Sequence, residues 1–202
     1  MIRSLQRWPF FIFVMAMLFG CAASPNVSFY TLDKPPYPEA RSEDSSRLDI
    51  LLGPLTVPEM VDRPQFVVRA GDNKVDIIDT RRWAQPLKSE LAHALAANLA
   101  QDLGTLHVFL AGQSMAGEPD IRVSVDILRF ESWSGAEATI EARWTIQRKE
   151  SKTTLTGRSI ARETLRGEGY DILVAAHGRA LARIGHEIAD AIRAGPNQGR
   201  SE

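Results

Sequence analysis

Two stretches of this chain alternate apolar and polar residues so strictly that little besides a half-buried β-sheet accommodates them. Ile121, Val123, Val125 and Ile127 interleave with Arg122, Ser124 and Asp126, and Ala138, Ile140, Ala142, Trp144 and Ile146 with Thr139, Glu141, Arg143, Thr145 and Gln147. Successive side chains on a strand point to opposite faces, so each stretch places its apolar set on a dry face and its polar set, Glu141 included, on a wet one. The dry face of such a sheet must be covered by another layer. A polar turn at 149–152 and a more polar strand at 154–164 extend the pattern to an antiparallel meander whose last strand lies near an edge.

Two helical patterns supply the cover. Leu87, Leu91, Leu95, Leu99 and Leu103 recur every fourth residue, Ala92, Ala94 and Ala96 broaden their stripe, and Gly104 stops it. Pro86 falls in the first turn, where a missing N–H is tolerated, so the helix is predicted over 84–103. The second pattern, at 171–194, carries Leu173, His177, Leu181, Ile184, Ile188 and Ala191 or Ile192 on one stripe and ends at Gly195-Pro196. Small residues, Gly178, Ala182, Gly185 and Ala189, form another stripe on it. Glycine inside a helix costs on the order of 1 kcal/mol against alanine, which implies close approach by a second backbone. That backbone belongs either to the neighbouring helix or to a second copy, making these four residues candidate oligomer contacts. Upstream, a strand at 48–52 ends at Gly53-Pro54, and a β-hairpin pairs 65–69 with 75–79 around a polar loop at 70–74. A further short strand follows at 106–110. The fold class expected is α+β: a mixed, largely antiparallel sheet covered on one face by two long helices.

The N-terminus has the pattern of a signal peptide over residues 1–20. Arg3 and Arg7 precede a run from Pro9 to Phe19 that is almost wholly apolar and too short to span a bilayer, which takes roughly 20 residues. The run closes on Leu18-Phe19-Gly20-Cys21, a bacterial lipobox, and Cys21 is the only cysteine in the 202 residues. Its thiol is the nucleophile that accepts a diacylglyceryl group, so Cys21 is the expected lipidation site and the expected attachment to the membrane. Ala22 stands where Asp would signal inner-membrane retention, which points to the periplasmic face of the outer membrane. Residues 21–47, rich in Ser, Pro and charge, are expected to form a flexible tether with a span of roughly 28 Å. Within it, Phe29-Tyr30-Thr31-Leu32 is a β-prone patch that either docks on the domain or hangs loose. One domain then occupies 48–195, with a disordered tail at 196–202.

Loss of residues 1–20 removes Arg3 and Arg7 from the 24 basic residues and leaves 22 against 25 acidic ones. A net charge near −3 gives no basic footprint for nucleic acid. Gly112-Gln113-Ser114-Met115-Ala116-Gly117 misses a GxSxG nucleophile elbow by one residue and leads into Pro119 and a strand where an elbow requires a helix. His93, His107, His177 and His186 fit no metal spacing, and there is no phosphate-cradling glycine loop. No catalytic residue, metal or cofactor is expected, and the chain does not read as an enzyme. The polar group that invites a partner is Arg63, Gln65, Arg69, Arg82 and Trp83, because Arg grips carboxylates bidentately and Trp anchors interfaces. The alternative is that Asp62 and Asp79 pair with these arginines to brace the hairpin while Trp83 fills the edge of the core.

Gly53-Pro54, Pro58-Glu59, Asp62-Arg63-Pro64-Gln65, Val68-Arg69, Arg82-Trp83-Ala84, Pro86-Leu87 and Asn98-Leu99 follow one another in an order and spacing that resemble the PqiC/YmbA-like family of auxiliary lipoproteins of ABC-type transport systems. Leu128-Arg129-Phe130, Ala142-Arg143-Trp144 and Val174-Ala175-Ala176-His177 continue the resemblance across the mature chain. It implies a non-catalytic accessory of an ABC-type or MCE-type assembly that moves lipids or other hydrophobic compounds across the periplasm, with an MCE-type subunit as partner. A competing reading is an envelope-maintenance lipoprotein that binds peptidoglycan or an outer-membrane assembly partner.

Overall fold

The computed structural model describes residues 26–32, 48–152 and 154–195; the expected signal peptide, Cys21, much of the tether and the C-terminal tail lie outside them. The strands are β1 (Ser28–Tyr30), β2 (Ile50–Thr56), β3 (Gln65–Gly71), β4 (Lys74–Trp83), β5 (Val108–Leu110), β6 (Ile121–Trp133), β7 (Glu137–Arg148) and β8 (Thr154–Thr164). Two helices, α1 (Leu87–Leu103) and α2 (Tyr170–Ala194), complete the fold. The class is α+β, as the alternation and the leucine repeat imply.

The sheet is built around β6. One of its edges pairs with β7 along the whole length of the strand, and β7 pairs in turn with the edge strand β8. Its other edge receives two strands in succession, β2 in parallel over Ile121 to Asp126 and β3 in parallel at Trp133. Beyond β2 lies β5; beyond β3 lie β4 and then β1. The long ladders, β6–β7 and β7–β8, are antiparallel, while the parallel ones are short, so the sheet is mixed but largely antiparallel.

Both helices lie on one face. There they bury Ile121, Val123, Val125, Ile127, Ile140 and Ile146 under Leu91, Leu95, Leu99, Leu181, Ile184 and Ile188. They run side by side in the same direction, and at the contact a Cβ added to Gly185 would sit 3.1 Å from Asn98 Cβ and 3.3 Å from Leu95 Cδ1. Gly185 and Ala189 are buried inside the protomer, so these members of the small-residue stripe serve the α1–α2 contact and not a second copy. Gly178 and Ala182, higher on α2, stay partly exposed. At the far ends, Arg193 of α2 donates to the carbonyl of Asp102, and Arg148 donates to that of Ile192. Both cations thus meet helix C-terminal carbonyls that lack intrahelical donors.

Several boundaries differ from the sequence reading, each for a physical reason. Pro86 is the N-cap of α1 and not part of its first turn; its carbonyl accepts from Ser89 and Glu90, and the helix starts at Leu87. Trp83 ends β4, which runs on because β1 pairs with it. The first strand does not stop at Gly53-Pro54: the chain passes through a cis peptide there, the register shifts between Leu52 and Leu55, and pairing resumes to Thr56. The hairpin loop is tighter than expected, with Asp72 and Asn73 alone between β3 and β4.

The tether is also shorter than expected. Ser28, Phe29 and Tyr30 pair with Arg81, Arg82 and Trp83, the Ala84 N–H donates to Tyr30 O at 2.8 Å, and Leu32 is buried in the core. Glu90, in the first turn of α1 and without exposed surface, accepts the Leu32 N–H at 3.1 Å. A carboxylate is favoured there by the positive end of the helix dipole. The folded unit therefore includes residues upstream of 48.

Candidate functional site

The open face of the sheet, turned away from the helices, carries the candidate partner residues. On β3, Phe66 and Val68 point inward, which turns Gln65, Val67 and Arg69 outward; Arg82 is opposite Gln65 and shares their face. Arg69 pairs with Glu131 of β6 at 2.6 Å and donates to the Asp72 carbonyl at 3.1 Å. Arg82 Nε donates to the Asp79 carbonyl at 3.0 Å, while Gln65 Nε2 reaches the Asp79 carboxylate at 3.5 Å. Arg63 is half-buried at the base of the hairpin, where its Nε is buried without a hydrogen-bond partner. The structure thus gathers Gln65, Arg69 and Arg82 on one surface, and half-buried Arg63 lies two residues ahead of Gln65 in the chain.

Trp83 is on the other face. Its ring lies 4.4 Å from that of Phe66 and 6.1 Å from that of Phe130, and it is 6 % exposed. The expected aromatic anchor is therefore a core residue. Its neighbours Tyr30 and Tyr170 close an aromatic cluster around Phe66, with the Arg81 guanidinium 5.4 Å above the Tyr170 ring.

The same open face holds a row of ion pairs that the alternation does not reveal. Glu141 accepts from Arg158 at 2.6 Å on one oxygen and lies 3.4 Å from Arg129 on the other. Its side chain is 5 % exposed, so it is not the wet residue predicted: two long arginine side chains from the adjacent strands cover it. Next in the row, Asp126 accepts from Thr56 at 2.8 Å and Arg143 at 3.1 Å, and these bonds hold its carboxyl below the usual range. On the helix side of the sheet, Glu163 of β8 pairs with Arg179 and Arg183 of α2; burial alone would raise its pKa, but the two arginines outweigh it and lower it.

Among the described residues, no three His, Cys, Asp or Glu side chains come together as a metal site, and no helix is long and apolar enough to cross a membrane. The Gly112–Gly117 stretch is a loop. Part of it borders a groove of about 510 Å³ between β2, β5 and the start of α1, lined by Pro54, Leu55, Lys88, His93 and Gln113 among others.

His177, a member of the apolar stripe of α2, is 1 % exposed. It stacks on Phe130 at 4.0 Å, and its Nε2 is 2.8 Å from Ser132 Oγ. Burial lowers its pKa from 6.5 to about 3, so the ring is neutral in the fold. The unfolded chain takes up the proton below pH 6.5 and the folded chain does not. Stability is therefore full above pH 6.5 and falls as the pH drops toward 3, with a limiting slope of about 1.4 kcal/mol per pH unit from this group. Thermal unfolding against pH should show that loss in the wild type and a flatter profile in His177→Phe. Parallel profiles would remove His177 as the cause.

These features define a two-layer α+β domain with one sealed face and one open, charged face. The chain belongs to the family of ABC-type transport auxiliary lipoprotein components, whose model matches residues 30–189. Membership makes it a membrane-anchored envelope lipoprotein that assists an ABC-type transporter, in a family not known for catalysis. The fold is similar to a crystal structure of an uncharacterized protein, with a TM-score of 0.66 at 20% identity over 83% of this chain and 99% of that one. It is also similar to protein XCC0632 from Xanthomonas campestris, with a TM-score of 0.62 at 19% identity over 82% and 94% of the two chains. No curated protein matches the sequence.

Proposed function

We propose that this protein is anchored by Cys21 to the periplasmic face of the outer membrane and serves as a non-catalytic docking accessory of an ABC/MCE-type system that carries lipids or other hydrophobic compounds between the membranes. The family match over 30–189 carries the reading, and the lipobox ending at Cys21 with Ala22 after it supports the anchor and its destination. Arg63, Gln65, Arg69 and Arg82 form the docking surface, since their arginine nitrogens can meet carboxylates of a periplasmic subunit. An MCE-type subunit is the partner, and Gly178 and Ala182 are the part of the α2 stripe left open to a second copy.

The test is co-purification from membranes. Wild-type protein should fractionate with the outer membrane and bring down a permease, ATPase or MCE subunit. Cys21→Ser should stay as unprocessed precursor, and Ala22→Asp should shift to the inner membrane where the host follows that sorting rule. Wild-type behaviour by Cys21→Ser would overturn the anchor; absence of any transport subunit from the wild-type sample would overturn the accessory role.

A further inference from the structure

We propose that the β1–β4 edge is the side this domain turns toward the membrane, with Phe29 seated in the lipid headgroup layer. The inference rests on the reading that Cys21 carries the lipid. It follows from where the chain first docks: Ser28 is already paired with Arg81, so only residues 22–27 separate the anchor from the fold. Seven peptide steps reach at most about 25 Å when fully extended. A domain of this size is roughly 38 Å across. The leash is shorter than the body it holds, so the body cannot roll over and present its far side.

The far side is identified by the sheet. From β1 the order runs through β4, β3, β6 and β7 to β8, six strands spanning about 24 Å at 4.8 Å each. The β8 edge therefore points away from the bilayer, and the open face stands across it. Slippage of β1 does not lengthen the leash, because Leu32 is buried and its N–H is held by Glu90.

The surface at this edge suits a lipid headgroup layer. Phe29 is 64 % exposed, the most open of the large apolar side chains among the described residues. It lies opposite Arg82 on the outward face, and Ile77 of β4, 46 % exposed, is further along the same face. An exposed aromatic ring with an exposed aliphatic side chain along the same face matches the boundary between acyl chains and headgroups.

The experiment uses the lipidated protein on vesicles of phosphatidylethanolamine with phosphatidylglycerol. Phe29→Cys and Ile160→Cys are made separately; each then carries the sole free thiol, because Cys21 is the only cysteine in the sequence and its sulfur is taken by the lipid. Both thiols receive an environment-sensitive fluorophore, and quenching by a lipid-borne nitroxide is read. The label at 29 should shift to the blue and be quenched about threefold more strongly than the label at 160, as its place in the interface requires. A Gly/Ser insert of about 15 residues after Ser24 should reduce the difference, because effective concentration falls as a leash grows. Equal quenching at both positions, or stronger quenching at 160, in protein that floats with the vesicles overturns the orientation and leaves the anchor standing. Protein that does not float, with no acyl mass on Cys21, overturns the anchor and the orientation together.

Discussion

Leu95→Ala is expected to cost about 2–5 kcal/mol, near the upper end of that range, and to lower the melting temperature by roughly 8–20 °C. Leu95 has no exposed surface and its Cδ1 faces Gly185 on α2. The cost of a large-to-small change depends on how far the surroundings collapse into the space left behind. Here the facing residue has no side chain to move, and the two helix backbones are already close. A second substitution tests that explanation. Gly185→Ala in the wild type pushes a methyl toward Leu95 Cδ1 and Asn98 Cβ; in the Leu95→Ala background the first of those obstacles is gone. The penalty of Gly185→Ala should therefore shrink in the double variant, and strictly additive losses would mean that the two residues do not share this contact.

Gly157→Val is expected to destabilise by about 2–4 kcal/mol, combining overpacking with a lost hydrogen bond. Gly157 is paired with Trp144 across β7 and β8, and the indole lies over its backbone so closely that an added Cβ would sit 2.1 Å from a ring carbon. No small adjustment of a rigid ring removes such an overlap. Trp144 must swing out, which breaks the bond from its Nε1 to Ser159 Oγ at 3.0 Å and disturbs the bond Ser159 donates to Glu187 of α2. Near-UV circular dichroism should lose intensity along with the melting temperature. A variant that combines Gly157→Ala with Trp144→Val should recover part of the loss. Wild-type melting of Gly157→Ala alone would show that the ring does not cover this backbone.

Much of this architecture is legible in the residues because it is set locally. Period-two alternation needs no knowledge of neighbours, and β6, β7 and β8 appear where it places them; the leucine repeat likewise marks α1 from Leu87 to Leu103. What the sequence hides is pairing between distant segments. Nothing in Ile50–Thr56 or Gln65–Gly71 says that both line up along one edge of β6, and the three-residue β1 becomes a strand only because β4 is there to receive it. The fate of Trp83 was hidden for the same reason. The register skips Asp79, Thr80 and Arg81 between the Phe66 and Gln65 rungs, and that shift decides which of Arg82 and Trp83 faces the core. Glu141 shows a different limit. Alternation correctly gives its face, but its burial comes from arginines on the strands to either side, which a one-dimensional pattern does not contain.

The way the N-terminal segment joins the fold also sets its response to mechanical load. Tension applied ahead of Ser28 runs along β1, parallel to β4, so the rungs to Arg81, Arg82 and Trp83 are strained together and not one after another. Behind them, buried Leu32 and the Glu90 carboxylate resist the same displacement. Such a pull is thereby borne in shear by several bonds at once and passed through Glu90 into the first turn of α1, in the half of the molecule where the helices pack on the sheet.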